Sequence, residues 1–78
     1  MAMVREFFRA TINTGQHSTE VDCGYQLIIT KDGNLLQLNT YGSDNRQSKK
    51  KTSQTLQLDQ EHAAELLKII TDAFPELK

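Results

Sequence analysis

The sequence has a single cysteine, Cys23, among 78 residues, so no disulfide can form within the chain. That usage fits a reducing compartment, and the expectation is a cytoplasmic protein. Tryptophan is absent, proline occurs once, and the four glycines are spaced as turn markers rather than as a phosphate-cradling loop. Net charge is −1, so the chain is no polycation, and any affinity for nucleic acid must come from local clustering of charge. No apolar run approaches the ~20 residues of a membrane span. The opening stretch MAMVREFFRA carries arginines inside its apolar run and does not read as a signal peptide. No membrane partner is expected.

Catalytic and metal-binding patterns are also scarce. His17, Cys23 and His62 are the only soft ligands, and their spacing matches no zinc signature. Cys23 lacks the second cysteine of a redox motif, and nothing marks a base beside it. The expectation is no catalytic residue, no metal, no cofactor and no enzymatic activity.

What the sequence does contain is one strong helix. Asp59 is a good N-cap, Glu61 suits the positive end of the helix dipole, and Pro75 stops the helix near Ala73 or Phe74. At ~100° per residue, Ala63, Leu66, Leu67, Ile69, Ile70, Ala73 and Phe74 fall on a stripe about 160° wide. One sheet needs a stripe of only about 100°. The excess points to a second partner, and Leu66, Ile69, Ile70 and Ala73 are the candidate homodimer interface. A small single core is marginal at this length, which agrees with self-association.

The residues before the helix read as strands. Met3–Ile12 alternates, with Arg5, Phe7 and Arg9 on one face. Tyr25–Thr30 and Leu35–Tyr41 form a hairpin around an expected two-residue Asp32-Gly33 turn, which sets Ile29 opposite Leu36 and Leu27 opposite Leu38. Tyr25, Leu27, Ile29, Leu36 and Leu38 then share one face. Ser53–Leu58 is the last strand. The expected fold is a single α+β domain over residues 1–78. It is an antiparallel four-stranded twisted sheet followed by one C-terminal helix, in the order β-β-β-β-α.

If the helix covers the leucine face, the other face displays Arg5, Phe7, Arg9 and Tyr41 among glutamines, asparagine and threonine. The connecting stretch Gly42–Thr52 adds Arg46, Lys49, Lys50 and Lys51. Cations, aromatic rings and amides together suit single-stranded nucleic acid, which offers phosphates, base faces and base edges. These eight residues are the candidate nucleic-acid-binding set. The alternative is a non-catalytic protein-interaction module or accessory subunit.

The stretch KKKTSQTLQLDQEHAAELLKII, following YQLIITKDGNLLQLNTY, resembles the positive-cofactor-four family of single-stranded-DNA-binding transcriptional coactivators. Lys49–Lys51 match that family's basic loop, Leu58 its final strand leucine, and Asp59-Gln60-Glu61 its helix start. The resemblance spans Tyr25–Phe74 and lies mostly in the order of elements. It departs from the family at Gln54–Leu58, which lacks the usual Gly-Ile-Ser/Thr-Leu pattern, and in having no helix tryptophan. It implies a helix-mediated homodimer that binds single-stranded DNA across its sheets in transcription regulation, without enzymatic activity.

Overall fold

The last strand runs straight into the helix because Asp59 ends one and caps the other. Its backbone is extended (φ −83°, ψ 179°), and its carboxylate accepts from the backbone N–H of His62 at 2.9 Å. That bond satisfies one of the free donors of the first turn. The structure, a computed structural model, describes residues 1–42 and 52–78. Its elements are β1 (Ala2–Met3), β2 (Asp22–Thr30), β3 (Gly33–Tyr41), β4 (Thr52–Leu58) and α1 (Gln60–Ala73), then a short 3₁₀ turn at Pro75–Leu77. The helix boundaries are those expected from Asp59 and Pro75. Among the described residues, no helix is long and apolar enough to cross a membrane.

The fold is α+β, with four strands in the spatial order β1-β4-β3-β2 and one C-terminal helix. The sheet is mixed, which corrects the expected antiparallel arrangement: β2–β3 and β3–β4 are antiparallel, but β1 runs parallel to β4. The expected strand over Met3–Ile12 is also corrected. Only Ala2 and Met3 pair, against Leu56 and Gln57, and the Val4 N–H adds one more bond to the Gln57 carbonyl. One residue later the Arg5 carbonyl is 2.8 Å from Nε2 of His62 on α1. The chain is thereby drawn off the sheet edge and onto the helix, so alternation in the sequence finds no neighbouring strand to pair with.

The hairpin forms, but two residues out of the expected register. Thr30 pairs with Gly33, Leu27 with Leu36 and Tyr25 with Leu38, so the turn residues are Lys31 and Asp32. A type I′ turn at Asp32-Gly33 needs positive φ at both residues. Only Gly33 adopts it, at φ 126°. The Thr30 hydroxyl fixes the observed turn, donating to the Gly33 carbonyl at 2.6 Å and accepting from the Asp32 N–H at 3.2 Å. Because side chains alternate with period two, a two-residue slide preserves the faces.

Tyr25, Leu27, Ile29, Leu36 and Leu38 therefore share one face, joined from β4 by Leu56 and Leu58. Leu58 is the one buried apolar residue among those described. Leu36 and Leu38 are half-buried, and α1 touches β3 and β4 but not β2. The helix thus lies against β3 and β4 near the paired Leu36 and Leu58, while Leu56, one step back on β4, stays 47 % exposed. Tyr25 (78 % exposed) and Ile29 (78 %) lie uncovered on β2.

Candidate nucleic-acid interface

The opposite face is built from the alternate residues of the same strands, and these are mostly amides and hydroxyls. Gln26, Gln37 and Gln57 are cross-strand partners in one row, and Gly24, Asn39 and Thr55 form the next. Their side chains bond to one another across three strands. Asn39 Nδ2 donates to Gln26 Oε1 at 3.3 Å, while its Oδ1 accepts from Gln37 Nε2 and from the Thr55 hydroxyl, both at 3.0 Å. Gln57 Nε2 then donates to Gln37 Oε1 at 2.8 Å. Asn39, only 6 % exposed, is the centre of this ladder. Burial of its amide is tolerable because both of its polar atoms are bonded.

Tyr41 stands at the end of the ladder. Its ring lies over Gly24: a Cβ built there would come within 3.1 Å of Cε2 and 3.3 Å of the hydroxyl oxygen. Glycine at this position therefore makes the seat on which the ring rests. Tyr41 pairs with Thr52 at the start of β4. Arg46, Lys49, Lys50 and Lys51 lie outside the described residues.

Arg5, Phe7 and Arg9 do not join this face, a correction that follows from the shortened β1. Tyr41 pairs at the start of β4, whereas Arg5 meets His62 beyond its end. Seven strand residues separate the two ends by roughly 20 Å. Instead, Phe7 packs near His62, with ring centroids 6.5 Å apart and planes at 45°. Phe7, Phe8 and Arg9 line a groove of about 700 Å³ with Glu65, Lys68, Ile69, Asp72 and Ala73 of α1. Of the expected dimer residues, Leu66 and Ile70 are half-buried and Ile69 and Ala73 are exposed.

His62 clasps this segment to the helix. Its Nδ1 lies 2.7 Å from Asp59 Oδ1 and its Nε2 lies 2.8 Å from the Arg5 carbonyl oxygen. Both neighbours are acceptors, so only the doubly protonated imidazolium donates to both. The His62 value is accordingly raised, chiefly by the Asp59 hydrogen bond and further by the Arg5 carbonyl, against an opposing desolvation. Asp59 is lowered, first by the His62 backbone N–H and then by the His62 side chain. Asp59, Glu61 and His62 each bring a possible ligand atom to within 4.8 Å of the others. Both histidine nitrogens are spent on the clasp, however. Among the expected soft ligands, Cys23 is exposed at the start of β2 and His17 lies in the irregular segment before it.

The ladder and the clasp are the features that sequence reasoning missed. The glutamines and Asn39 were legible as residues of one face, but their bonding needed the true register. Nothing in the spacing of Arg5 and His62 links them. No protein-family model, curated protein or solved structure matches this chain.

Proposed function

We propose that this chain is a non-catalytic binding module that takes single-stranded nucleic acid across the polar face of its sheet. The observation that carries this reading is the amide and hydroxyl ladder beside Tyr41, on the face opposite the leucines. Gln26 is exposed and spends only its carbonyl oxygen on the ladder among the described residues, leaving its NH₂ available to a base edge. Tyr41 offers an aromatic surface for stacking, worth ~1–3 kcal/mol per base. Arg46 and Lys49–Lys51 belong to the connection that leaves from Tyr41, and they supply phosphate contacts to a strand lying there. The role in transcription implied by the family resemblance rests on the same ligand.

Fluorescence anisotropy with a labelled mixed-sequence single strand, at low and moderate salt beside a duplex control, tests the reading. Binding should prefer the single strand and weaken with salt. Replacing Lys49, Lys50 and Lys51 with Ala should flatten the logarithmic salt slope by about 0.7 for each lysine–phosphate ion pair removed. Tyr41→Ala should weaken binding at every salt concentration. No binding at low salt, or equal affinity for the duplex, refutes the proposal.

A further inference from the structure

We propose that residues 1–21 form a pH-sensitive strap, fastened to the helix by one proton of His62: closed while that ring is doubly protonated, and released when it is neutral. The device sits where β4 meets α1 and is independent of the nucleic-acid reading.

The strap has few attachments. Among residues 1–21 only Val4 and Phe7 are half-buried, and the rest are exposed. These two flank Arg5, whose carbonyl oxygen lies 2.8 Å from His62 Nε2. Before it, Ala2 and Met3 pair with β4, and the Val4 N–H donates to the Gln57 carbonyl at 2.9 Å. After it, Phe7 rests beside the His62 ring. Among the described residues, no hydrogen bond joins residues 6–21 to the sheet or the helix. The Arg5–His62 contact is therefore the last hydrogen bond that holds the strap before the chain enters β2.

Loss of a proton from His62 affects the two ends of this contact unequally. A neutral ring keeps one N–H, and two acceptors compete for it. Asp59 is the stronger acceptor because its carboxylate is charged. It is also held against the ring by the His62 backbone N–H at 2.9 Å, a bond that does not depend on the ring's charge. The remaining proton therefore stays on Nδ1, 2.7 Å from Asp59 Oδ1. Nε2 then turns a lone pair toward the Arg5 carbonyl oxygen, and an attraction becomes a repulsion. The helix keeps its cap while the strap loses its fastening. The charges around the ring set where this happens. Asp59, the Arg5 carbonyl and Glu65 favour the imidazolium, and the covered position of the side chain, 15 % exposed, opposes it. Glu61 brings a further acid close to the ring. The strap contributes Arg5, Glu6 and Arg9 nearby, and β3 and β4 carry no side chain charged at neutral pH. The fastening is complete below 6.5, the ordinary histidine value, and is lost as pH rises through the higher folded-state value.

Hydrogen exchange and relaxation measured by NMR on the full isotope-labelled chain, titrated through the His62 ring transition, test this. The Val4 amide should lose protection about tenfold or more in step with the ring, once the pH dependence of free-amide exchange is removed. Residues 5–9 should gain fast mobility over the same range. The His62 and Ala63 amides, both bonded to Asp59, should stay protected. His62→Gln should abolish the transition, and His17→Gln should leave it in place. Asp59→Asn keeps a capping side chain without the charge and should move the ring transition to lower pH. Should His62→Gln fail to fold, the wild-type titration and the Asp59→Asn shift decide the matter. A Val4 amide whose protection ignores the ring transition overturns the proposal. So does a transition that survives in His62→Gln, or an Asp59→Asn chain that titrates as the wild type does. Opening of the His62 and Ala63 amides together with Val4 also overturns it, because the start of the helix would then be lost with the strap.

Discussion

Replacing Asn39 with alanine tests the ladder most directly. The substitution removes three hydrogen bonds: the two that Oδ1 accepts from Gln37 and Thr55 at 3.0 Å, and the longer one to Gln26 at 3.3 Å. A typical intramolecular bond contributes about 0.5–1.5 kcal/mol net. Gln26 is exposed and water replaces its missing donor, so its bond counts near zero. Gln37 and Thr55 are half-buried, and their bonds count in full. The expected cost of Asn39→Ala is about 2 kcal/mol. Thr55→Val removes one of the same bonds and should cost about 1 kcal/mol. The double variant should cost less than the sum by about 1 kcal/mol, because the Thr55–Asn39 bond is counted in both single variants. Urea unfolding at one fixed protomer concentration reads these values, with an unchanged m-value. Strict additivity, together with a cost below about 0.5 kcal/mol for Asn39→Ala, would refute the ladder.

Two further predictions concern the helix and its anchors. Leu58→Ala should cost about 3 kcal/mol in equilibrium unfolding, the middle of the range for a buried leucine, and a cost typical of a surface site would contradict its place in the core. The Asp59–His62 pair should limit stability on both sides of a pH plateau. His62 is raised from its ordinary value of 6.5, so its contribution is complete below that value and is lost as pH rises through the folded-state value. Asp59 is lowered from its ordinary value of 3.8, so its contribution is present above 3.8 and is lost as pH falls through the folded-state value. Thermal unfolding across pH should show both limbs, and His62→Gln should remove the alkaline one; an unchanged alkaline limb would sink the clasp.

The parts of this fold that the sequence made legible are those governed by local chemistry. Asp59 and Pro75 bound the helix because capping and the missing proline N–H act within a turn. The two faces of the hairpin were legible because alternation survives a two-residue slide, even though Gly33 alone, rather than Asp32 with it, took positive φ. The failures were long-range. Met3–Ile12 alternates like a strand, but a strand also needs an edge, and the edge of β4 holds the chain only as far as Val4. The competitor was a carbonyl–imidazole contact between Arg5 and His62, which no local pattern signals. The same contact removed Arg5, Phe7 and Arg9 from the expected interface. Tyr41 kept its place because β3 is held by neighbours on both sides.

The pairing of β1 with β4 also sets an order on folding. Ala2 and Leu56 are far apart in the sequence, so joining them closes a long loop, whereas β2 and β3 meet across two residues. The hairpin is therefore cheap to nucleate, and β1 docks late, onto an edge that β4 must first provide. In the folded chain the relation reverses. Two paired residues make β1 the strand that detaches first, in a local opening that leaves the hairpin intact. While it is away, β4 presents bare N–H and C=O groups along its outer edge, and any extended segment that arrives there can take the vacant place. The first few residues thus act as a tethered plug over Leu56 and Gln57, and shortening them would lengthen the open edge of β4.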